Sequence, residues 1–169
     1  LTVAPLMAGM GMVEWRARRF VERARAALAR TRYPREFARR IRLMLAGGVA
    51  ASTGVVAVLA VPLLLALDRY GLLSPAGVLM AGAHAVLAGA YFLSFLLAGQ
   101  GRYGALCGAL LAAVAVHAYG PRLLGLDAGP GQPLDPVTDT ALFLGSAVLL
   151  QVLWAVLLAR AAAQAWRYR

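Results

Sequence analysis

The stretch "AGVLMAGAHAVLAGAYFLSFLLAGQGRYGALCGALLAAVAVHAY", Ala76 to Tyr119, decides the fold. It holds one formally charged side chain, Arg102, and no proline. A helix of about twenty apolar residues crosses roughly 30 Å of hydrocarbon, so this stretch reads as two spans and a turn. The turn, "GQGRYG" from Gly99 to Gly104, matches the G-x-G-x-x-G pattern that cradles a dinucleotide's pyrophosphate. That pattern needs a strand before it, a helix after it and an acidic residue about twenty positions on. Here a membrane span precedes it, and the acid at that distance, Asp127, lies beyond the next span, on the other side of the bilayer. No cofactor is expected, and the glycines serve a helical reversal. Gly99 is expected to end the first helix in a conformation of positive φ, Gly101 to help the bend, and Gly104 to open a face of small residues.

Working outward, four full spans are expected at about 43–67, 76–98, 104–119 and 140–159. Ser74-Pro75 supplies an N-cap and a first-position proline to the second, and Thr138 or Asp139 caps the fourth. Pro62 is expected to kink the first. The chain opens on Leu1 in an apolar stretch, 1–13, with no signal-peptide pattern. That stretch is short for a crossing and reads as a truncated span or a membrane-lying anchor, the start of the chain as a piece of a longer reading frame or an unusual start.

Charge orients the spans. All seventeen cationic side chains are arginine. The segment 14–42 carries eleven of them against three glutamates; the second turn has Arg102, and the tail 160–169 has Arg160, Arg167 and Arg169. The two intervening connections contain Asp68, and then Asp127, Asp135 and Asp139. Basic and acidic connections alternate, and the positive-inside rule puts the basic ones in the cytoplasm, with the chain in the cell (inner or plasma) membrane. Within 14–42, Val13, Ala17, Phe20, Ala24 and Leu28 recur at helical spacing with arginines on the other faces. That is an amphipathic helix suited to an anionic leaflet, with Arg16, Arg18, Arg19, Arg23 and Arg25 contacting anionic lipid or a partner. Tyr33-Pro34 should break it before a second short helix leads into the first span. A nucleic-acid partner is not expected, because no organised stacking aromatics accompany the charge.

Polar groups inside the spans are the candidate functional residues. Folding the chain at Gly101 brings His84 and His117 to similar depth, and an intramembrane ionisable group is by default a functional candidate. The plainer reading is a neutral imidazole hydrogen-bonded within the bundle. Two histidines alone do not make a metal site. Gln151 and the Ser52-Thr53 pair are the remaining mid-membrane polar groups, as interhelical glue or as substrate contacts. Small residues recur every four positions at Gly77, Ala81, Ala85 and Gly89, and again at Ala105, Ala109 and Ala113 beside Gly104, Gly108 and Ala112. Such faces let helices approach closely, so these spans should pack on each other or on neighbours. The four serines lie outside any nucleophile-elbow pattern, no carboxylates pair inside the membrane, and no metal-ligand spacing occurs, so no enzyme is expected.

The segment "VEWRARRFVERARAAL" followed by a basic stretch and a span resembles the cytoplasmic helix that joins two spans in exporters of the multidrug/oligosaccharidyl-lipid/polysaccharide flippase superfamily. The hairpin "AHAVLAGAYFLSFLLAGQGRYGAL" and the final "TDTALFLGSAVLLQVLWAVLLARAAAQ" are most similar to the membrane subunit of Pel-type exopolysaccharide exporters. The likeness covers most of this chain but only the C-terminal third or so of such an exporter, and its motifs are patterns of charge and hydropathy. Family members have many more spans, in two lobes, and the outer loop "LDAGPGQPLDPVTD" is longer here. The resemblance implies a fragment of one lobe, alternating access, and export of a polysaccharide or lipid-linked glycan. It also implies that His84, His117 and Gln151 face a central cavity, and that the arginine helix touches anionic lipid, a glycan synthase or other export subunits. The competing expectation is a small four-helix membrane adaptor or assembly subunit with a lipid-binding basic helix. Both share one fold class: an all-α polytopic membrane helix bundle.

Overall fold

A computed structural model of the chain describes residues 3–31, 33–126, 134–161 and 164. Asp127, Arg167 and Arg169, and with them most of the outer loop and of the tail, lie outside the described residues. The described residues form five α-helices and no strand: α1 Val3–Arg30, α2 Pro34–Arg69, α3 Pro75–Gly99, α4 Tyr103–Leu123 and α5 Pro136–Ala161. The last four are long and apolar enough to cross a membrane. The architecture is an all-α polytopic bundle.

Local sequence sets the boundaries. Proline stands at the first position of α2 and α3, and the Ser74 hydroxyl accepts from the Gly77 N–H at 3.1 Å to cap α3. The end of α3 corrects the expectation for Gly99. That residue is the last of the helix, and it is Gly101 that adopts φ +68°. The Gly101 N–H donates to Ala98 O at 2.9 Å and the Arg102 N–H to Leu97 O at 3.0 Å, closing a Schellman motif. Gly71 and Gly125 end α2 and α4 in the same way, with φ +65° at each. The fourth span also starts earlier than expected. Its cap is Asp135, whose Oδ2 accepts from the Thr138 N–H and hydroxyl, both at 3.0 Å, because Pro136 begins the helix one turn ahead of the apolar run. These bonds to the ionised form hold the Asp135 carboxyl below its ordinary range.

Two further expectations change. The stretch 1–13 is not a unit separate from the arginine helix: from Val3 on it is the first part of α1, which runs unbroken to Arg30. Tyr33-Pro34 does break the chain, but the next element is one helix of 36 residues that carries the basic turns straight into the first span, through Pro62. The apolar stripe of α1 is not laid on a lipid surface either. Val13, Ala17, Phe20, Ala24 and Ala27 are buried against α2 and α3, where Phe20 meets Phe92 edge-on at 6.1 Å between centroids. An apolar stripe gains as much from a protein groove as from a headgroup layer, and here α2 and α3 provide the groove.

Helix α3 is the hub. It packs most extensively on α5, then on α2 and α1, and only slightly on α4. Its small residues Ala81, Ala85 and Gly89 are buried, and Gly89 lies against Thr53 of α2 and Gln151 of α5. The Ala109–Ala113 face of α4 is buried, and α4 packs chiefly on α5, while Gly104, Gly108 and Ala112 are exposed. Arg102 pins the hairpin turn to α5, its Nη1 donating to Leu157 O at 3.1 Å. Helices α1 and α2 run antiparallel: Gly9 lies against Val56, and residues 15–23 lie along Met44, Gly47 and Gly48. The bundle thus has a basic end, with the α1–α2 turn and Arg102, and an acidic end, with Asp68, Asp135 and Asp139.

Candidate functional site

Helices α2 and α5 both pack on α3, and a groove of about 690 Å³ runs between them along the bundle's side. Its walls are Leu45, Ala46, Val49 and Ala50 from α2, with Ala155 and Ala159 from α5. Arg42 stands at its basic end, and Thr53 and Gln151 at its deep end. Alanines at spacing four make the groove wide by removing side-chain volume without breaking the helices.

The deep end is polar where the bundle is otherwise apolar. A Cβ placed on Gly89 would stand 2.6 Å from Thr53 Oγ1 and 3.1 Å from Gln151 Oε1, so three helices meet here through one glycine. Thr53 Oγ1 and Gln151 Oε1 are buried, and neither has a hydrogen-bond partner among the described residues. Ser52, next to Thr53 in sequence and fully buried, likewise has no hydrogen-bond partner among the described residues. An unmet hydrogen-bonding group in an apolar interior costs roughly 1–3 kcal/mol, so a groove that keeps such groups has a use for them.

Toward the acidic end the two histidines share one neighbour. The Phe143 ring of α5 lies 6.3 Å from the His84 ring and 6.1 Å from the His117 ring, edge-on to each. His84 is buried. His117 is half-buried, and its Nε2 lies 4.0 Å from Asp139 Oδ1 in the first turn of α5. Among the described residues no group of histidine, cysteine and carboxylate side chains is arranged to hold a metal.

The five arginines singled out in α1 divide between two crevices. Arg18 and Arg25 line one of about 300 Å³ against Phe95, Leu96, Gly99 and Gln100 of α3 and its turn, with Glu14 bonded to Arg18 at 2.7 Å. Arg16, Arg19 and Arg23 line another of about 480 Å³ over Gly47 and Gly48 of α2. Arg19 also lies over the Trp15 ring at 5.4 Å and reaches Glu22 at 3.4 Å.

Sequence reasoning thus finds Gln151, Thr53 and both histidines, and it misses Gly89, Phe143 and the Gly47-Gly48 floor. Phe143 carries no signal, being one aromatic in an apolar run. Gly89 reads in the sequence as part of a small-residue stripe, without the neighbours that make it a junction.

No protein-family model, curated protein or solved structure matches the chain. What fold and composition define is therefore a class: a multi-pass membrane protein with four candidate spanning helices, to which α1 is packed as a fifth.

Proposed function

We propose that the chain is a membrane-embedded part of an exporter or flippase for a polysaccharide or lipid-linked glycan, and that the α2–α5 groove forms part of the substrate path. The observation that carries this reading is the deep end of the groove, where Thr53 and Gln151 sit together without partners at mid-depth. A hydroxyl and an amide at a cavity wall are suited to a substrate rich in hydroxyls, because each can donate and accept. The alternating basic and acidic ends support a cytoplasmic location for Arg102 and the α1–α2 turn in the plasma or inner membrane. The resemblance of the arginine helix and the α3–α4 hairpin to polysaccharide exporters supports the same substrate class, with the groove completed by other helices of a larger transporter that rocks between two openings.

The test is Gln151→Leu in the producing cell, with secreted polysaccharide and membrane-inserted protein both measured. Export should fall at least about tenfold, as expected when a buried substrate hydroxyl loses its partner, while the amount of inserted protein is unchanged. Wild-type export from this variant would overturn the reading. The reading also requires further hydrophobic spans in frame in the DNA upstream of Leu1.

A further inference from the structure

The crevice between α1 and α2 is built differently from the other surfaces of the basic end. Arg16, Arg19 and Arg23 occupy successive turns on one side of α1, and the opposite wall includes Gly47-Gly48, where Phe92 fills the place of a side chain at Gly48 and nothing lies within 4 Å of a Cβ at Gly47. No ion pair among the described residues involves Arg16 or Arg23, and Arg16 Nε is buried without a hydrogen-bond partner. The one neighbouring acid is Glu22, exposed and 3.4 Å from Arg19. Three arginines thus line a space of about 480 Å³, and the carboxylate paired with one of them, Glu22, is not part of its lining. Guanidinium forks match phosphate oxygens bidentately and are held in place by stacking, as Arg19 is on Trp15.

Depth identifies the source of the phosphate. The apolar run of α2 from Leu43 to Leu67 is about 37 Å long at 1.5 Å per residue, against a hydrocarbon core of roughly 30 Å. The surplus of about 7 Å is the length of four to five residues, so with the surplus at the basic end Gly47-Gly48 stand at the headgroup layer. The crevice is also lined by Met44, Phe20 and Phe92, so apolar surface stands beside the arginines at this level. We propose that this crevice binds the phosphate of one anionic membrane phospholipid, with Arg16, Arg19 and Arg23 as its ligands. The site lies apart from the α2–α5 groove and does not depend on a transport role. Its consequence is that a lipid joins α1 to α2, so the leaflet's anionic content sets how firmly the arginine helix is held.

The experiment uses the full chain in nanodiscs of phosphatidylcholine with a rising share of phosphatidylglycerol, and bound lipid is counted by native mass spectrometry. Wild type should retain one phosphatidylglycerol saturably. The Arg16→Gln, Arg19→Gln, Arg23→Gln variant should bind about a hundredfold more weakly. The Arg18→Gln, Arg25→Gln, Arg39→Gln variant, with the same loss of charge on faces of α1 and α2 turned away from the crevice, should stay within about threefold of wild type. Gly47→Leu keeps every charge and fills the crevice, and nothing lies within 4 Å of a Cβ there, so it should fold and yet lose the lipid. Equal losses in the two arginine variants, or retention by Gly47→Leu, would overturn the site in favour of diffuse surface attraction. Displacement by millimolar glycerol phosphate would overturn the lipid as the source and leave a soluble-anion site. Absence of saturable binding in wild type would end the proposal.

Discussion

Alanine at Gly48 and alanine at Gly47 add the same methyl group to adjacent positions of α2, and the structure assigns them opposite effects. A Cβ at Gly48 would stand 2.6 Å from Phe92 Cε1 and closer still to Cζ, whereas a Cβ at Gly47 meets nothing within 4 Å. The Phe92 ring cannot step aside, because it is fully buried and packed edge-on against Phe20. Both substitutions gain the same helix propensity, roughly 1 kcal/mol over glycine, so it cancels in their difference. What remains is the overpacking cost at Gly48, about 1–3 kcal/mol. At about 2–4 °C per kcal/mol for a chain of this size, Gly48→Ala should melt roughly 2–12 °C below Gly47→Ala. The assay is thermal unfolding of the purified chain in detergent, followed by circular dichroism. Adding Phe92→Leu to Gly48→Ala should recover much of the loss, a coupling of about 0.5–3 kcal/mol between residues in contact. A Gly48→Ala protein that melts at or above Gly47→Ala, or a double variant that merely sums the single effects, would refute the α1–α2–α3 junction as described.

Other consequences are open to measurement. Arg102→Gln removes the bond to Leu157 O and should lower stability by roughly 1 kcal/mol, read as a lower melting temperature. The lowered pKa of Asp135 means that its cap is intact above the unfolded carboxylate value of about 3.9 and is lost as pH falls through the folded value. Protection factors of the first-turn amides of α5, which divide out the intrinsic pH dependence of exchange, should therefore hold steady from about pH 7 to 5 and fall below about 4, and in Asp135→Ala they should be low throughout. Both histidines pack on Phe143, so His84→Phe with His117→Phe should leave polysaccharide secretion within about twofold of wild type, a ring replacing a ring. Export lost in that variant, at normal membrane levels, would instead put the imidazoles on the substrate path. With Cys107 changed to alanine, cysteine at Gln100 should react with an impermeant maleimide only after the cells are opened, and cysteine at Leu72 before; the reverse would invert the orientation.

The spans and their turns are legible in the sequence because they are set locally. An apolar run of sufficient length has few alternatives to a crossing helix, and Gly71, Gly101 and Gly125 each succeed a helix end that needs a left-handed residue. The level of His84 and His117 is legible for the same reason: counting residues from a fold line fixes depth, though not direction around the helix. Which helix stands at the centre is not legible. In lipid a leucine facing the bilayer and a leucine facing a neighbour have equally apolar surroundings, so hydropathy gives α3, half of whose span is buried, the same signature as α4. The side to which α1 turns its stripe is hidden for a related reason, since Val13, Ala17 and Phe20 would be equally suited to a headgroup layer. What separates the two outcomes is Gly48, a gap on α2 into which Phe92 fits with Phe20 packed edge-on behind it. The complementarity is shared among three helices, and no one segment carries it. The same holds at Gly89, where the missing side chain is filled by Thr53 and Gln151. Gly48 and Gly89 mark where neighbours converge, and the two convergences lie beside the two polar features, the arginine crevice and the groove. Small residues that let helices approach in lipid also leave room beside them, so in this fold packing and binding surfaces arise from the same positions.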